Sequence, residues 1–308
     1  MPLVSIVVPV FNNAASLPGL AERLQCLAGQ NRRQEFEFIY VEDGSRDDSF
    51  SVLERLAAED KRTRVIKLSR NFGSTTAVLA GLAHARGDCA AFIAADLQDP
   101  PEKLTEMLAL WESGRKVVLA MRKNRHGDPW STRLFASFFN WLYQKLVFDR
   151  FSPHGIGFFL IDRQVIDVVV KSNEKNAYIP GFLLWTGFEP GLVEYERARR
   201  EYGNSGWTFQ KKVKYFIDAF AAFSYLPLRM SSALGVLLAI LGFVYAIVIF
   251  VARLLNQIPV PGWSALVIVI LLTSGVQLTM LGVIGEYLWR TFDASRGRPL
   301  FVVDRVIE

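Results

Sequence analysis

Short apolar runs alternate with amphipathic stretches over the first two hundred residues. Val4–Val10, Glu37–Val41, Val65–Leu68, Cys89–Ala94 and Val117–Ala120 are nearly continuous in apolar residues. That pattern predicts strands buried on both faces, as in a parallel sheet. Helical periodicity falls between them, near 15–28, 48–59, 74–86 and 101–113. The last of these opens with Asp99-Pro100-Pro101-Glu102, a helix start with proline in its first turn. Strand–helix alternation of this kind predicts an α/β fold with a doubly wound sheet.

The pattern then changes. Ser231–Ala252 and Gly262–Gly285 contain no charged residue. Each is long enough to cross a hydrocarbon core, which takes about 20 helical residues. Lys211, Lys212, Lys214 and Arg229 precede the first stretch, and Arg290, Arg296, Arg298 and Arg305 follow the second. Only Arg253 lies in the connection, so the positive-inside rule predicts a membrane hairpin with both ends cytoplasmic. In 207–223, Phe209, Val213, Phe216, Phe220 and Phe223 share one helical stripe away from the lysines. This predicts a basic amphipathic helix at an anionic membrane surface. Residues 131–148 carry a similar stripe. The N-terminus lacks the basic region of a signal peptide and reads as a strand.

Composition narrows the chemistry. The formal net charge of +5 suits anionic lipid, phosphorylated substrates or nucleic acid, without choosing among them. Cys26 and Cys89 sit within regular segments, which argues against a disulfide framework. No G-x-G-x-x-G follows the first strand, and there is no Walker loop and no Cys/His cluster. Candidate ligand-binding residues instead gather at the carboxyl ends of the strands, where open α/β sheets hold ligands. They are Pro9, Phe11, Asn12 and Asn13; Glu42 and Asp43; Arg70, Asn71 and Gly73; and Asp96, Gln98 and Asp99. On an extended segment Asp96 and Gln98 point the same way, two oxygen donors suited to Mg²⁺ or Mn²⁺ whose other positions diphosphate oxygens fill. Arg122 and Arg125, after the fifth strand, form a basic site for a leaving diphosphate.

These segments resemble family 2 glycosyltransferases of the polyprenyl-phosphate type. That group includes bactoprenol glucosyltransferases, dolichol-phosphate mannose synthases and the undecaprenyl-phosphate aminoarabinose transferase. The resemblance rests on Val7-Val8-Pro9-Val10-Phe11-Asn12, Glu42-Asp43-Gly44-Ser45, Ser69-Arg70-Asn71-Phe72-Gly73, Ala95-Asp96-Leu97-Gln98-Asp99-Pro100-Pro101-Glu102 and Arg122 to Arg125. It continues through Tyr202-Gly203-Asn204-Ser205, Pro227-Leu228-Arg229 and Gly285-Glu286-Tyr287-Leu288. It implies a GT-A, Rossmann-like nucleotide-sugar-binding catalytic domain over 1–205. A juxtamembrane helix and linker (206–230), spans at 231–252 and 262–285, and a cytoplasmic tail (286–308) follow.

The resemblance also implies roles. Pro9, Phe11, Asn12, Asp43, Arg70, Asn71 and Gly73 bind the nucleotide sugar, and Asp96 and Gln98 hold the metal. Arg122 and Arg125 grip the diphosphate, and Arg200 faces the acceptor phosphate. The expected partners are a nucleotide sugar (a UDP-sugar first), an undecaprenyl-type phosphate, the bilayer and further copies of the chain, with no nucleic acid.

Three positions depart from the family. Ala94 stands where relatives carry the first carboxylate of Asp-x-Asp, and Gly206 where a Lys is common. His154-Gly155-Ile156-Gly157-Phe158 lacks the Asp that relatives use as a presumed base. A phosphate monoester, with its second pKa near 6, is already largely anionic at neutral pH. Such an acceptor needs positioning and charge screening more than deprotonation, which suits direct displacement with inversion. The rival expectations are a hydroxyl acceptor, which needs a base, and a non-catalytic relative that only binds sugar nucleotides.

Overall fold

The computed structural model describes residues 1–123, 156–172, 179–198, 226–254 and 262–308. Residues 1–222 and 299–308 form one compact unit and residues 223–298 a second.

The first unit is built on an eight-stranded sheet. Its strands are β1 (Leu3–Val10), β2 (Glu35–Glu42), β3 (Thr63–Leu68), β4 (Cys89–Phe92), β5 (Val117–Arg122), β6 (Ile156–Asp162), β7 (Gly191–Tyr195) and β8 (Val303–Ile307). Their order across the sheet is β7-β5-β6-β4-β1-β2-β3-β8. The connecting helices are α1 (Leu17–Gln30), α2 (Ser49–Glu59), α3 (Ser74–His84), α4 (Leu104–Glu112), α5 (Arg163–Ser172) and α6 (Ile179–Trp185).

Both faces of the sheet are covered, which is why its central strands are apolar at successive positions. Val4, Ile6, Val8 and Val10 share a cluster with Leu20 and Leu24 of α1, Val52 of α2 and Met107 of α4. On the opposite face Val7 meets α3 at Gly81, a position with no room for a Cβ. The apolar stripe Leu17, Leu20, Leu24, Leu27 of α1 is the helical counterpart of this core.

The sheet departs from an all-parallel one. β6 runs antiparallel to both β4 and β5, and β8 antiparallel to β3. β1 to β4, β5 and β7 share one direction, so their carboxyl ends lie at one edge, and β6 begins there. The run Cys89–Ala94 pairs only to Phe92. The helix expected over 101–113 begins as a 3-10 turn, Pro101–Lys103, before α4. In the tail expected over 286–308, helix continues to Ser295 and β8 adds an edge strand.

In the second unit, α7 (Leu226–Leu254) and α8 (Trp263–Ser295) have 29 and 33 residues and pack on each other. Gly235 faces Met280, whose Cε would lie 3.3 Å from an added Cβ. α8 continues past Gly285, and Glu286 and Arg290 pair one turn apart on it (2.8 Å). Among the described residues, no helix is long and apolar enough to cross a membrane. The amphipathic segments 131–148 and 207–223 lie outside the described residues.

Candidate active site

The loops after β1, β2 and β3 lock together through backbone donors and short polar side chains. Asn12 has φ of 54°, in the left-handed region that asparagine tolerates better than most residues. Its N–H donates to Ser45 Oγ (3.0 Å), and its Oδ1 accepts the Arg46 N–H (2.8 Å). The Asn13 N–H donates to Ser49 Oγ (2.9 Å), and the Ala14 N–H to Asp47 Oδ2 (3.1 Å). Burial opposes the Asp47 charge, but the Ser49 hydroxyl and the Ala14 and Ser49 N–H groups outweigh it and hold its carboxyl below the ordinary range.

Asp43 plays a part the sequence did not suggest. Its carboxylate is buried and accepts the N–H groups of Phe72 (2.6 Å) and Gly73 (2.9 Å), fastening the loop after β3. Burial lifts its pKa above the usual value, against the pull of those two donors. Its carboxylate thereby ties the end of β2 to the loop after β3. Gly44, at φ of 70°, lies so close that an added Cβ would sit 2.6 Å from the Asn71 nitrogen. Phe11 is 44% exposed at the rim. Arg70 is exposed too, its guanidinium 4.0 Å from the Phe72 ring centroid. Pro9, Phe11, Asn12, Arg70, Asn71 and Gly73 thus gather on one loop cluster with Asp43 behind it.

The second half of the site centres on Asp96. Leu97 adopts φ of 59°, so Asp96 and Gln98 sit on a turn, not on the extended segment expected. Such a conformation in a non-glycine residue costs about 1–3 kcal/mol and persists where its surroundings enforce it. Here the enforcement is visible. Gln98 exchanges backbone and side-chain bonds with Ala198: the Ala198 N–H donates to Gln98 O (3.0 Å), and Gln98 Nε2 donates to Ala198 O (3.1 Å). The Gln98 N–H donates to Asp96 Oδ1 (3.2 Å).

The Gln98 amide nitrogen is engaged by Ala198 O, and the Gln98 backbone N–H ties the same turn to the Asp96 carboxylate. Two oxygen donors suit a hard divalent cation that takes its remaining ligands from a diphosphate. Among the described residues, no group of three or more His, Cys, Asp or Glu is placed to hold a metal ion. Asp96 and Gln98 are the two oxygen donors that the sequence singles out for such a cation.

Four residues extend this half, and two of them, Tyr195 and Arg197, were not read from the sequence as site residues. Arg197 reaches toward both acids, Nη2 at 3.8 Å from Asp96 Oδ2 and Nε at 3.8 Å from Asp99 Oδ1. The Tyr195 hydroxyl donates to Asp99 Oδ1 (2.7 Å) and accepts from Arg122 Nε (3.4 Å). Asp99 thus spends its carboxylate on Tyr195 instead of a helix start. The alternating burial of Gly191–Tyr195 marks Tyr195 as inward-facing, the one signal that could have found it. Arg122 joins this half as expected from the sequence. Arg125, Arg200 and His154 lie outside the described residues.

Residues 5–169 match the family Glycosyl transferase family 2. The chain belongs to that family. It is 33% identical to the bactoprenol glucosyl transferase of Shigella phage SfV over 97% of each chain. It is also 33% identical to the undecaprenyl-phosphate 4-deoxy-4-formamido-L-arabinose transferase of Proteus mirabilis (strain HI4320), over 99% of this chain and 94% of that one. Among solved structures it is similar to a mycobacterial protein, with a TM-score of 0.50 and 17% identity over 71% of this chain and 73% of the other. The first unit of this family 2 glycosyltransferase has the Rossmann-like α/β architecture of the GT-A class.

Proposed function

We propose that the chain is a membrane-bound inverting glycosyltransferase that moves a sugar from a nucleoside-diphosphate sugar, a UDP-sugar first, to an undecaprenyl-type phosphate at the cytoplasmic face. The observation that carries this reading is the span of the two polyprenyl-type relatives, 97% and 99% of this chain. The helical hairpin therefore falls within the aligned length as well as the loop cluster. That the hairpin enters a bilayer rests on residue types: the two uncharged stretches lie within α7 and α8.

The loop cluster supplies what such a donor needs. Phe11 offers an exposed ring to a nucleobase, and Asn12 and Asn71 offer hydrogen-bonding groups to a ribose. Asp96 and Gln98 would hold Mg²⁺ or Mn²⁺, which supplies positive charge against the diphosphate when bound. Arg122 adds a fixed cation on the same side. An oxygen of the lipid phosphate attacks the anomeric carbon while the bond from that carbon to the diphosphate oxygen breaks. The electron pair leaves with the nucleoside diphosphate. No proton need be removed, because the attacking oxygen is already anionic near neutral pH.

The test uses the full chain purified in detergent with a panel of UDP- and GDP-sugars. Undecaprenyl phosphate and the free polyprenol are compared as acceptors, with Mg²⁺, Mn²⁺ or EDTA. The expected result is a lipid-linked sugar on the phosphate alone, lost with EDTA. Product only on the alcohol overturns the acceptor, and no product with any donor overturns the activity.

A further inference from the structure

Gly157 is the second residue of β6, at the sheet edge where Arg122 ends β5 and Tyr195 ends β7. A Cβ at position 157 would overlap the Tyr195 hydroxyl oxygen and lie 2.7 Å from its Cζ. The two features exclude each other: any side chain at 157 forces the Tyr195 hydroxyl from its place. The Tyr195 ring is held edge-on against buried Phe158, with centroids 5.0 Å apart, and the residue is 2% exposed. Burial first, and then the nearby Asp99 charge, push its pKa well above the ordinary tyrosine value, so the phenol keeps its proton at working pH.

That single oxygen joins two charged groups of the half of the site built on Asp96. It accepts from Arg122 on one side and donates to Asp99 on the other. Through Asp99 it acts on Arg197, whose guanidinium is stretched at 3.8 Å between Asp99 and Asp96. An arginine drawn fully onto Asp96 would neutralise the carboxylate that the metal–diphosphate needs. Asp99, steadied by the Tyr195 proton, holds Arg197 back by sharing its charge.

We propose that Tyr195 is a positioning residue of the glycosyl-transfer site: its hydroxyl, admitted by the missing side chain at Gly157, fixes Arg122 and the Asp99–Arg197 pair and so sets how much of the Arg197 charge falls on Asp96, the carboxylate proposed to meet a metal-bound nucleoside diphosphate. This rests on the proposed nucleotide-sugar reading and assigns the side-chain-free position 157 a purpose within it.

The test is a double-mutant cycle of Tyr195→Phe, Gly157→Ala and their combination in the full chain. Mn²⁺-dependent binding of UDP and GDP is measured by calorimetry, alongside turnover and melting temperature. Tyr195→Phe is expected to weaken Mn²⁺-dependent nucleotide binding about 10-fold, in line with loss of hydrogen bonds to charged partners. Binding measured without metal should change less than 3-fold. Gly157→Ala should reproduce this loss, and the combination should add little, since both remove one oxygen from one place.

Equal losses with and without metal, or losses that multiply, overturn the proposal and leave Tyr195 a structural residue. So does wild-type affinity in Tyr195→Phe. A wild type that binds a nucleotide yet glycosylates no polyprenyl phosphate overturns the proposed acceptor alone, because the calorimetric cycle still reads Tyr195. Failure to bind either nucleotide overturns both.

Discussion

At the residue scale, the site is held by side chains that serve the backbone more than the ligand. Asp43 fastens two N–H groups, Asn12 bridges two loops, and Gly44 leaves room for the Asn71 backbone. The sequence brought these residues to the strand ends but could not show which loop each one fastens, because that depends on which loops come to lie side by side. Away from the site, the turn before β3 offers a titration that can be isolated. Asp60 accepts from the Arg62 side chain (Nη2 at 2.7 Å), the largest influence holding its pKa below the ordinary value. A carboxylate with a depressed folded pKa contributes stability above its unfolded value, about 3.9, and loses it as pH falls through the folded value. Asp60→Asn should therefore lower Tm by about 2–4 °C at pH 7, the scale of roughly 1 kcal/mol for a chain this size. Below about pH 4 the difference from wild type should close. Thermal melts of both proteins from pH 3 to 8 check this, and a pH-independent difference would exclude the ion pair as its cause.

At the element scale, β8 is the piece furthest from its sequence expectation. A tail of mixed charge carries little strand pattern, and it pairs because β3 otherwise ends the sheet with open N–H and C=O groups. Its last residue completes a polar cluster at the strand starts. Glu308 accepts from Arg64 (3.0 Å) and Arg86 (2.6 Å), while Arg64 also meets the buried Glu37 (3.3 Å). Ending the chain after Val302 bares the β3 edge and leaves buried Arg64 with less counter-charge. The expected cost is about 2–4 kcal/mol, or roughly 5–10 °C in Tm, with increased self-association. Melting and light scattering of the shortened protein in detergent check it. An unchanged melt would show that β8 merely rests on the edge. β6 illustrates the same limit: Ile156–Asp162 is apolar enough to be a strand, but its antiparallel course depends on pairing between β4 and β5.

At the scale of the whole molecule, the chain leaves the catalytic unit before Phe223 and rejoins it at Pro299. Because β8 pairs within that unit, an inserted hairpin that crosses a bilayer must cross it an even number of times. The proposed topology thus predicts that a fluorescent protein fused after Glu308 matures in the cytoplasm, while a cysteine placed at Asn256 reacts with an impermeant reagent from outside. Labelling of position 256 only after lysis would remove the crossing.

Hydrophobic periodicity alone determined the alternating α/β unit, its first five strands and the following hairpin, because burial on both sheet faces and along helix faces is written locally. Residue type at the strand ends determined where the chemistry gathers. Only the tertiary structure decided that Asp43 fastens the loop after β3, that Leu97 turns Asp96 and Gln98, and that Tyr195 takes the space left at Gly157. Those outcomes join residues separated by dozens of positions, and such contacts exist only once the sheet has brought its edges together.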